Sequence, residues 1–494
     1  MSIIQGTSQF AGAADFDTTL IPNSVWLDGS ADLLSKSFSG SASATEGVYS
    51  MWVQRTGYGT DDGIFCTYGT IDSATKELMF AFRTTNKLQI YWFQGGGPGL
   101  VLNYITTRVF RDIGWYHILF SYKTDEATAD DRALLFINGI QETAYDTKTN
   151  PSASYAPPRP FASVPFGIGV TGETGAINSD FLDGYIAQST FLDGHSIQGG
   201  DVAVGDFLDS FSYGTNGSQF VPKANSDVAG LASAAGANSF CLDFANSSDL
   251  GNDISSKGND FSLTSMAAAN QSTHTPSLTY LQFNPLQKFG TAALSEGNTR
   301  VGVDVYDAIR GTKFVSTGKK YLEITVNTVN NTYIGVANGS SNPSSFASSN
   351  VACLQKSGDI YINDAIPSGQ SARSKAVATG DVIGILIDAD AKKFWQSVNG
   401  TINSLDRNNS ITVSDSDVLA GTGGFDLSGL TGDDGNYTIH IGNSDGTSAD
   451  VSINGGHKDF SHTPPTGYLG WGSDNYTAPE FQGIDYFDST LYEG

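Results

Sequence analysis

Leu134-Leu135-Phe136-Ile137-Asn138-Gly139-Ile140 is the stretch that decides the fold class. Four apolar residues run into Asn-Gly, and an apolar residue resumes immediately after it. Both turn residues tolerate the positive φ that a two-residue type I′ turn demands, so the stretch predicts a β-hairpin. The same signal returns in Phe394-Trp395-Gln396-Ser397-Val398-Asn399-Gly400-Thr401. Two distant parts of the chain therefore close a sheet in the same manner.

Around the first hairpin, Trp115 to Tyr122 alternates with the two-residue period of a strand. That period puts Tyr116, Ile118, Phe120 and Tyr122 on one face, expected to be core. Tyr49 to Gln54, Leu78 to Arg83, Leu88 to Phe93, Ala133 to Ile137 and Asp183 to Phe191 are rich in aromatic and β-branched residues and bounded by turn formers. Pro151, Pro157, Pro158 and Pro160 have no N–H to give a central ladder, so Asn150 to Pro160 reads as a loop. Around the second hairpin, Tyr321 to Val326 alternates, Tyr333 to Ala337 follows, and Asp381 to Asp388 reads as a buried strand. Gly421 to Gly446 reads as exposed loop, interrupted by a short strand from Tyr437 to Ile441. Between the two regions Ser, Ala, Asn and Gly dominate, and a segment of that length must pack on a neighbour rather than hang free.

The expected fold class is all-β, with two antiparallel β-sandwiches at residues 20–197 and 290–475 joined by a packed, loop-rich connector, 198–289. Residues 1–19 are a candidate anchor and 476–494 a C-terminal tail. The composition agrees: 57 glycines mark many tight turns, and an 11% aromatic share supplies large groups for sandwich cores.

Lys and Arg number 26 against 51 Asp and Glu, a formal charge of −25 that repels a phosphate backbone, so nucleic acid is not an expected partner. The bland reading of that charge is an acidic surface that keeps a dense assembly soluble. Cys66, Cys241 and Cys353 lack CxxC or His-paired spacing, which argues against a disulfide framework or structural zinc. The first residues lack the basic cluster and apolar core of a secretory signal. No stretch approaches the roughly 20 apolar residues of a membrane span, so no membrane insertion is expected. Synthesis in a reducing cytoplasm, followed by release by lysis, fits both features.

Candidate chemistry is sparse. Gly442-Asn443-Ser444-Asp445-Gly446 spells GxSxG, but a nucleophile elbow needs a strand-to-helix turn, and Thr447 to Ile453 reads as loop and strand. His117, His195, His274, His440, His457 and His462 show no HExxH or paired-ligand spacing. His117, alternating with Trp115 and Leu119, reads as a packed structural residue. Asp388-Ala389-Asp390 runs into Lys392 and Lys393, where a calcium loop wants oxygens, and reads as a polar hairpin. Tyr91, Trp92 and Phe93 beside Gly95-Gly96-Gly97 could offer sugars a stacking platform, although burial statistics favour core. No catalytic residue, metal ligand or cofactor is expected, and no binding residue is singled out.

Three stretches go further. Gly114 to Ile118, Lys123 to Arg132 and Phe136-Ile137-Asn138-Gly139, with Asp183-Gly184-Tyr185-Ile186-Ala187 and Phe191-Leu192-Asp193-Gly194 as closing strand, resemble the laminin G-like, concanavalin-type sandwiches of bacteriophage virion proteins. Leu242-Asp243-Phe244, Leu250-Gly251-Asn252-Asp253 and Gly258-Asn259-Asp260-Phe261, then Phe283-Asn284-Pro285-Leu286, resemble the segment that follows this module in many phage proteins. Gly318 to Glu323, Tyr333 to Ala337, Gly380 to Gly384 and the ending Phe460-Ser461-His462-Thr463-Pro464-Pro465-Thr466-Gly467-Tyr468 are similar to SPRY-type sandwiches. Val451 to Gly456 departs from that pattern, lacking its usual aromatic-glycine pair after Asn.

The resemblance implies a non-enzymatic virion structural protein, foremost a tail fibre or receptor-binding component. Its implied partners are other virion proteins and a host cell-surface glycan or receptor, bound as a homo-oligomer, with a trimer favoured. The rival within the structural class is a capsid decoration or head fibre protein. From another class the rival is a surface-glycan depolymerase, which needs two carboxylates about 5 to 10 Å apart across a sugar.

Overall fold

Tyr116, Ile118, Phe120 and Tyr122 do project together from one strand into the apolar core. The computed structural model describes residues 17–173, 176–213, 217–339, 350–366, 376–402, 413–430, 435–444 and 447–475. Most of the candidate anchor and all of the C-terminal tail lie outside them. The described residues divide into two units that meet in sequence at Leu278 and Thr279, inside the segment read as connector.

The strands of the first unit are, in order, β1 (Ser24–Asp28), β2 (Leu33–Ser37), β3 (Glu46–Arg55), β4 (Asp62–Ile71), β5 (Ala74–Phe82), β6 (Lys87–Gln94), β7 (Gly99–Val109) and β8 (Tyr116–Lys123). There follow β9 (Ala133–Ile137), β10 (Ile140–Gln141), β11 (Tyr145–Thr149), β12 (Pro165–Ile168), β13 (Thr171–Glu173), β14 (Ala176–Ser179) and β15 (Asp183–Asp193). The connector adds a hairpin of β16 (Leu208–Tyr213) and β17 (Gly217–Pro222), helix α1 (Asn225–Ala234), and the short strands β18 (Phe240–Leu242), β19 (Ser262–Thr264) and β20 (Gln271–Ser272).

Two antiparallel sheets form the sandwich. One runs β10-β9-β8-β3-β15-β1-β20, with β18 also on β15; the other runs β11-β7-β6-β5-β4-β12-β2-β19. Alternate residues of both face inward. Tyr49, Phe65, Phe80, Trp92, Phe120 and Phe166 fill the interior, where burial of each ring stabilises by about 2 to 3 kcal/mol. The Asn-Gly turn forms as expected: Asn138 (φ 49°) and Gly139 (φ 78°) both occupy the left-handed region. Asn138 N–H donates to the His117 carbonyl (2.9 Å), and its Oδ1 accepts from His117 N–H (2.8 Å).

β3, β8 and β15 are buried on both faces because the connector covers the outside of their sheet. Val228, Ala229 and Ala232 of α1 pack with Val202 and Phe207 against Val48, Leu119, Phe136 and Leu192. The same connector sends Phe240, Leu242, Phe244, Leu250 and Phe261 into the central core. Its Asn-Asp repeats are the reason it holds shape. The buried Asp253 carboxylate accepts from Cys241 N–H (3.0 Å), Ser255 N–H (2.9 Å), the Ser255 hydroxyl (2.8 Å) and Asn259 N–H (2.9 Å). Asn259 Nδ2 donates to the carbonyls of Ala237 and Ser239. Gly251 must be glycine, since a Cβ there would sit 1.9 Å from the Phe261 carbonyl oxygen. The proline-rich stretch is a loop as expected, yet Arg159 is buried within it, donating to Asp72 and to the carbonyls of Ala42 and Pro157.

The second unit is another two-sheet antiparallel sandwich. Phe283–Phe289, Ala308–Gly311, Tyr437–Asn443, Thr332–Asn338, Val351–Gln355 and Ile360–Ile362 form one sheet. Opposite lie Ala293–Ser295, Arg300–Val303, Ala449–Asn454, Lys319–Thr328, Val382–Asp388, Lys393–Val398 and Thr401–Ile402. Asn399 (φ 52°) and Gly400 (φ 77°) repeat the first unit's turn, and again Asn N–H donates to the facing strand, at Val382 O (2.8 Å), while Oδ1 accepts from Val382 N–H (2.9 Å). The expectation of exposed loop from Gly421 holds only in part. Phe425–Asp426 pairs with Lys393 and Phe394, and Leu427 and Leu430 are buried, because apolar groups at those positions join the second unit's core.

Candidate functional site

The pleat of β6 separates the three consecutive aromatics that the sequence grouped together. Trp92 is fully buried between the sheets, whereas Tyr91 and Phe93 point to the opposite side and keep part of their surface in water. The expectation that all three are mainly core therefore needs correction. Alternation sends every second residue outward, and on that side of β6 Tyr91 and Phe93 are only partly buried.

Register brings their neighbours together. Across β4, β5, β6 and β7, Tyr68 faces Glu77, Glu77 faces Phe93, and Phe93 faces the half-exposed Leu100. In the adjoining row Met79 faces Tyr91, and Tyr91 faces Asn103. The Tyr91 hydroxyl donates to Glu77 Oε1, and Gln89 Nε2 donates to Asn103 Oδ1 (2.8 Å). The hairpin of β13 and β14 packs beside β4, where a Cβ on Gly172 would lie 3.3 Å from Tyr68 Cβ. The result is a partly exposed face with two rings, a hydroxyl–carboxylate pair whose carboxylate is mostly buried, and an amide pair. Rings offer apolar surface and the polar pairs offer donors and acceptors, the combination that polyhydroxylated ligands need.

The electrostatics are local. β5, β6 and β7 contain one carboxylate, Glu77. Their cations are all paired: Lys76 with Asp72, Lys87 with Asp146 and Arg108 with Glu142, while Arg83, just beyond β5, pairs with Asp61. Neither Glu77 nor Asn103 stood out in the sequence, since only register places them beside Tyr91 and Phe93. The one available signal was a carboxylate just before the apolar run Leu78–Phe82.

The other sequence candidates are dispersed. Asp445 and Gly446 of the GxSxG candidate lie outside the described residues; Ser444 follows the strand Tyr437–Asn443, the next described element is the strand Ala449–Asn454, and the Ser444 hydroxyl reaches the Tyr333 hydroxyl at 3.4 Å. That is no strand-to-helix elbow. Asp388 Oδ1 accepts from Ala391 N–H within the turn and its carboxylate pairs with Lys319, while Asp390 accepts from Gly318 N–H, so both carboxylates have structural partners. Among the described residues no group of three or more His, Cys, Asp or Glu is placed to hold a metal ion. None of their helices is long and apolar enough to cross a membrane. All three cysteines are buried, and burial raises the Cys241 thiol to about 12.

His117 is fully buried, with Nε2 2.9 Å from the Ser50 hydroxyl and the ring 5.0 Å from that of Trp52. Burial pushes its pKa down to about 3, so the folded chain holds this ring neutral where an unfolded chain would protonate it. The contribution is complete above the unfolded value near 6.5 and declines as pH falls from there toward 3, by about 1.4 kcal/mol per pH unit. Between pH 6.5 and 5 the first unit is expected to lose about 2 kcal/mol through this group. In denaturant titrations the wild type should lose about 2 kcal/mol more than His117→Gln over this interval; parallel pH profiles would refute it.

With this geometry in place, comparison with known proteins gives a partial match. Residues 28–195 match the family Laminin_G_3, described as the Concanavalin A-like lectin/glucanases superfamily. The match covers β2 to β15 and contains the whole β5–β6–β7 face. A search of curated proteins returned no match. Among solved structures, the SPRY domain of human HERC1 is similar over 35% of this chain and 96% of its own, at 14% identity and a TM-score of 0.26. A heptameric SAP-like pentraxin from Limulus polyphemus is similar over 35% and 76%, at 10% identity and 0.27. A putative carbohydrate binding protein from Bacteroides ovatus is similar over 35% and 43%, at 12% identity and 0.25. Residues 28–195 of the first unit are thus similar to concanavalin A-like modules.

Proposed function

We propose that this chain is a virion structural protein of a bacteriophage, a tail-fibre or receptor-binding component that adheres to a host surface glycan through the β5–β6–β7 face without cleaving it. The observation that carries the glycan reading is the cluster of Tyr91, Phe93, Glu77 and Asn103 on a partly exposed sheet face. A sugar's C–H face can cover the rings while its hydroxyls meet the hydroxyl–carboxylate and amide pairs. One carboxylate on these three strands favours binding over hydrolysis, which uses two. The concanavalin-like match over residues 28–195 supports a binding module. The virion assignment is supported by the resemblance of the connector motifs around Asp253 to those of phage proteins. Other virion proteins are its assembly partners, and a homotrimer multiplies weak contacts by copy number.

The test has two arms. Tyr91→Ala/Phe93→Ala chains are expected to bind host cells at least about tenfold more weakly than wild type, each lost stacking contact contributing on the order of 1 kcal/mol. Purified host polysaccharide should yield no new reducing ends. Immunogold labelling is expected on the tail; label confined to the capsid would make this a head fibre or decoration protein, and unlabelled particles would remove the virion assignment.

A further inference from the structure

We infer, resting on the glycan reading above, that the ligand is a linear glycan laid lengthwise along β6 and β7 and held over three consecutive sugar residues, not a single sugar. Pairing of the two strands sets out three rows: Phe93 with Leu100, Tyr91 with Asn103, and Gln89 with Ile105. Leu88, Ile90 and Trp92 alternate with them on β6, as do Leu102 and Tyr104 on β7, and all of these face the core. The six residues of the rows keep part of their surface in water, Leu100 nearly half. Four residues of strand rise about 13 Å, so the rows together are longer than one pyranose ring. Every row carries apolar surface: Phe93 and Leu100 in the first, the Tyr91 ring in the second, Ile105 in the third. Asn103 and Gln89 place amides in the second and third, 2.8 Å apart. Successive sugars in a chain repeat that alternation of C–H faces and hydroxyl edges.

The neighbouring strands give the strip its direction. On the β5 side Met79 is buried, with Arg83 Nη1 3.7 Å from its sulfur, and the β13–β14 hairpin packs on β4 and β5. A sugar laid across the strands would meet that bank. On the other side β11 sets threonines, Thr147 and Thr149, beside Ile105 and Asn103. Apolar surface is therefore continuous lengthwise, from Ile105 through Tyr91 to Phe93 and Leu100. At the Phe93 end the chain turns through Gly95, Gly96 and Gly97, which put no side chain in the path, and a Cβ at Gly96 would meet nothing within 4 Å. A polymer can continue outward over that turn, so the strip suits a stretch of a long chain.

Linear glucan, mannan, galactan and N-acetylglucosamine oligosaccharides, each as a series from a single sugar to about six residues, can be titrated against the full chain by calorimetry. Within a series that binds, the trisaccharide is expected to bind at least about tenfold more tightly than the single sugar, because two further rows are filled. Longer members should bind about as tightly as the trisaccharide. Ile105→Ala should weaken the trisaccharide about threefold or more and leave the disaccharide unchanged, since only the third row loses apolar surface. A single sugar that binds as tightly as the trisaccharide overturns the three-row site and leaves the glycan reading standing. Affinity that falls beyond three residues, or an Ile105→Ala chain that binds the trisaccharide like wild type, overturns the placement along β6 and β7. Binding that Tyr91→Ala/Phe93→Ala leaves intact overturns the face itself, and an absence of binding in every series overturns the glycan reading with it.

Discussion

An Asp253→Ala chain is expected to lose about 4 kcal/mol or more of stability in its first unit, the largest effect of any single change considered. Asp253 is almost fully buried, and its two oxygens take four hydrogen bonds from Cys241, Ser255 and Asn259. Alanine would leave those donors without an acceptor, three of them buried, and each buried orphaned group costs on the order of 1 to 3 kcal/mol. The damage would spread, because the nodule holds Phe240, Leu242, Leu250 and Phe261 in the core. In calorimetry of the whole chain the first unit's transition should fall by about 10 °C, with the second unit's unmoved. Asp253→Asn keeps one accepting oxygen and should lie between. A shift under about 2 °C for alanine would show that the nodule is incidental to stability.

The second large effect belongs to Glu323. Its side chain, 2% exposed, accepts from Ser461 N–H (2.8 Å), His462 N–H (2.7 Å) and the Tyr321 hydroxyl (3.1 Å). The segment so held continues along Lys319–Thr328: Tyr321 N–H donates to Leu469 O, Leu469 N–H to Lys319 O, and Trp471 ends fully buried in the core. Glu323→Ala strands two backbone donors and a hydroxyl, and about 3 kcal/mol should be lost from the second unit. The expected signs are a lower second transition in calorimetry and faster proteolysis after Lys458. An unchanged cleavage rate would mean that Trp471 and the Leu469 pairing hold the segment without Glu323.

What the sequence revealed follows from how local each signal is. The two Asn-Gly hairpins were legible because one dipeptide sets the turn, and Asn138 and Asn399 then clasp the adjoining strand in the same way. The all-β class followed from alternation in strands such as β8. Helix α1 left no trace: its buried residues Val228, Ala229 and Ala232 are mostly small and give no apolar stripe to read. The candidate site was half legible. Tyr91 and Phe93 could be noticed, but strand pairing across β4 to β7 decides that Glu77 and Asn103 stand beside them, and pairing is a non-local fact. Glu323 and Ser461 illustrate the same limit, since each lay in a familiar motif whose hydrogen-bonded partner was over a hundred residues distant.

The sealing of β3, β8 and β15 by the connector fixes how this chain can be cut and rejoined. A chimera that borrowed only residues 20–197 would carry Val48, Leu119, Phe136 and Leu192 bare, a sticky back inviting aggregation. The transferable cassette runs on to Leu278, and recombination between relatives should preserve that longer block.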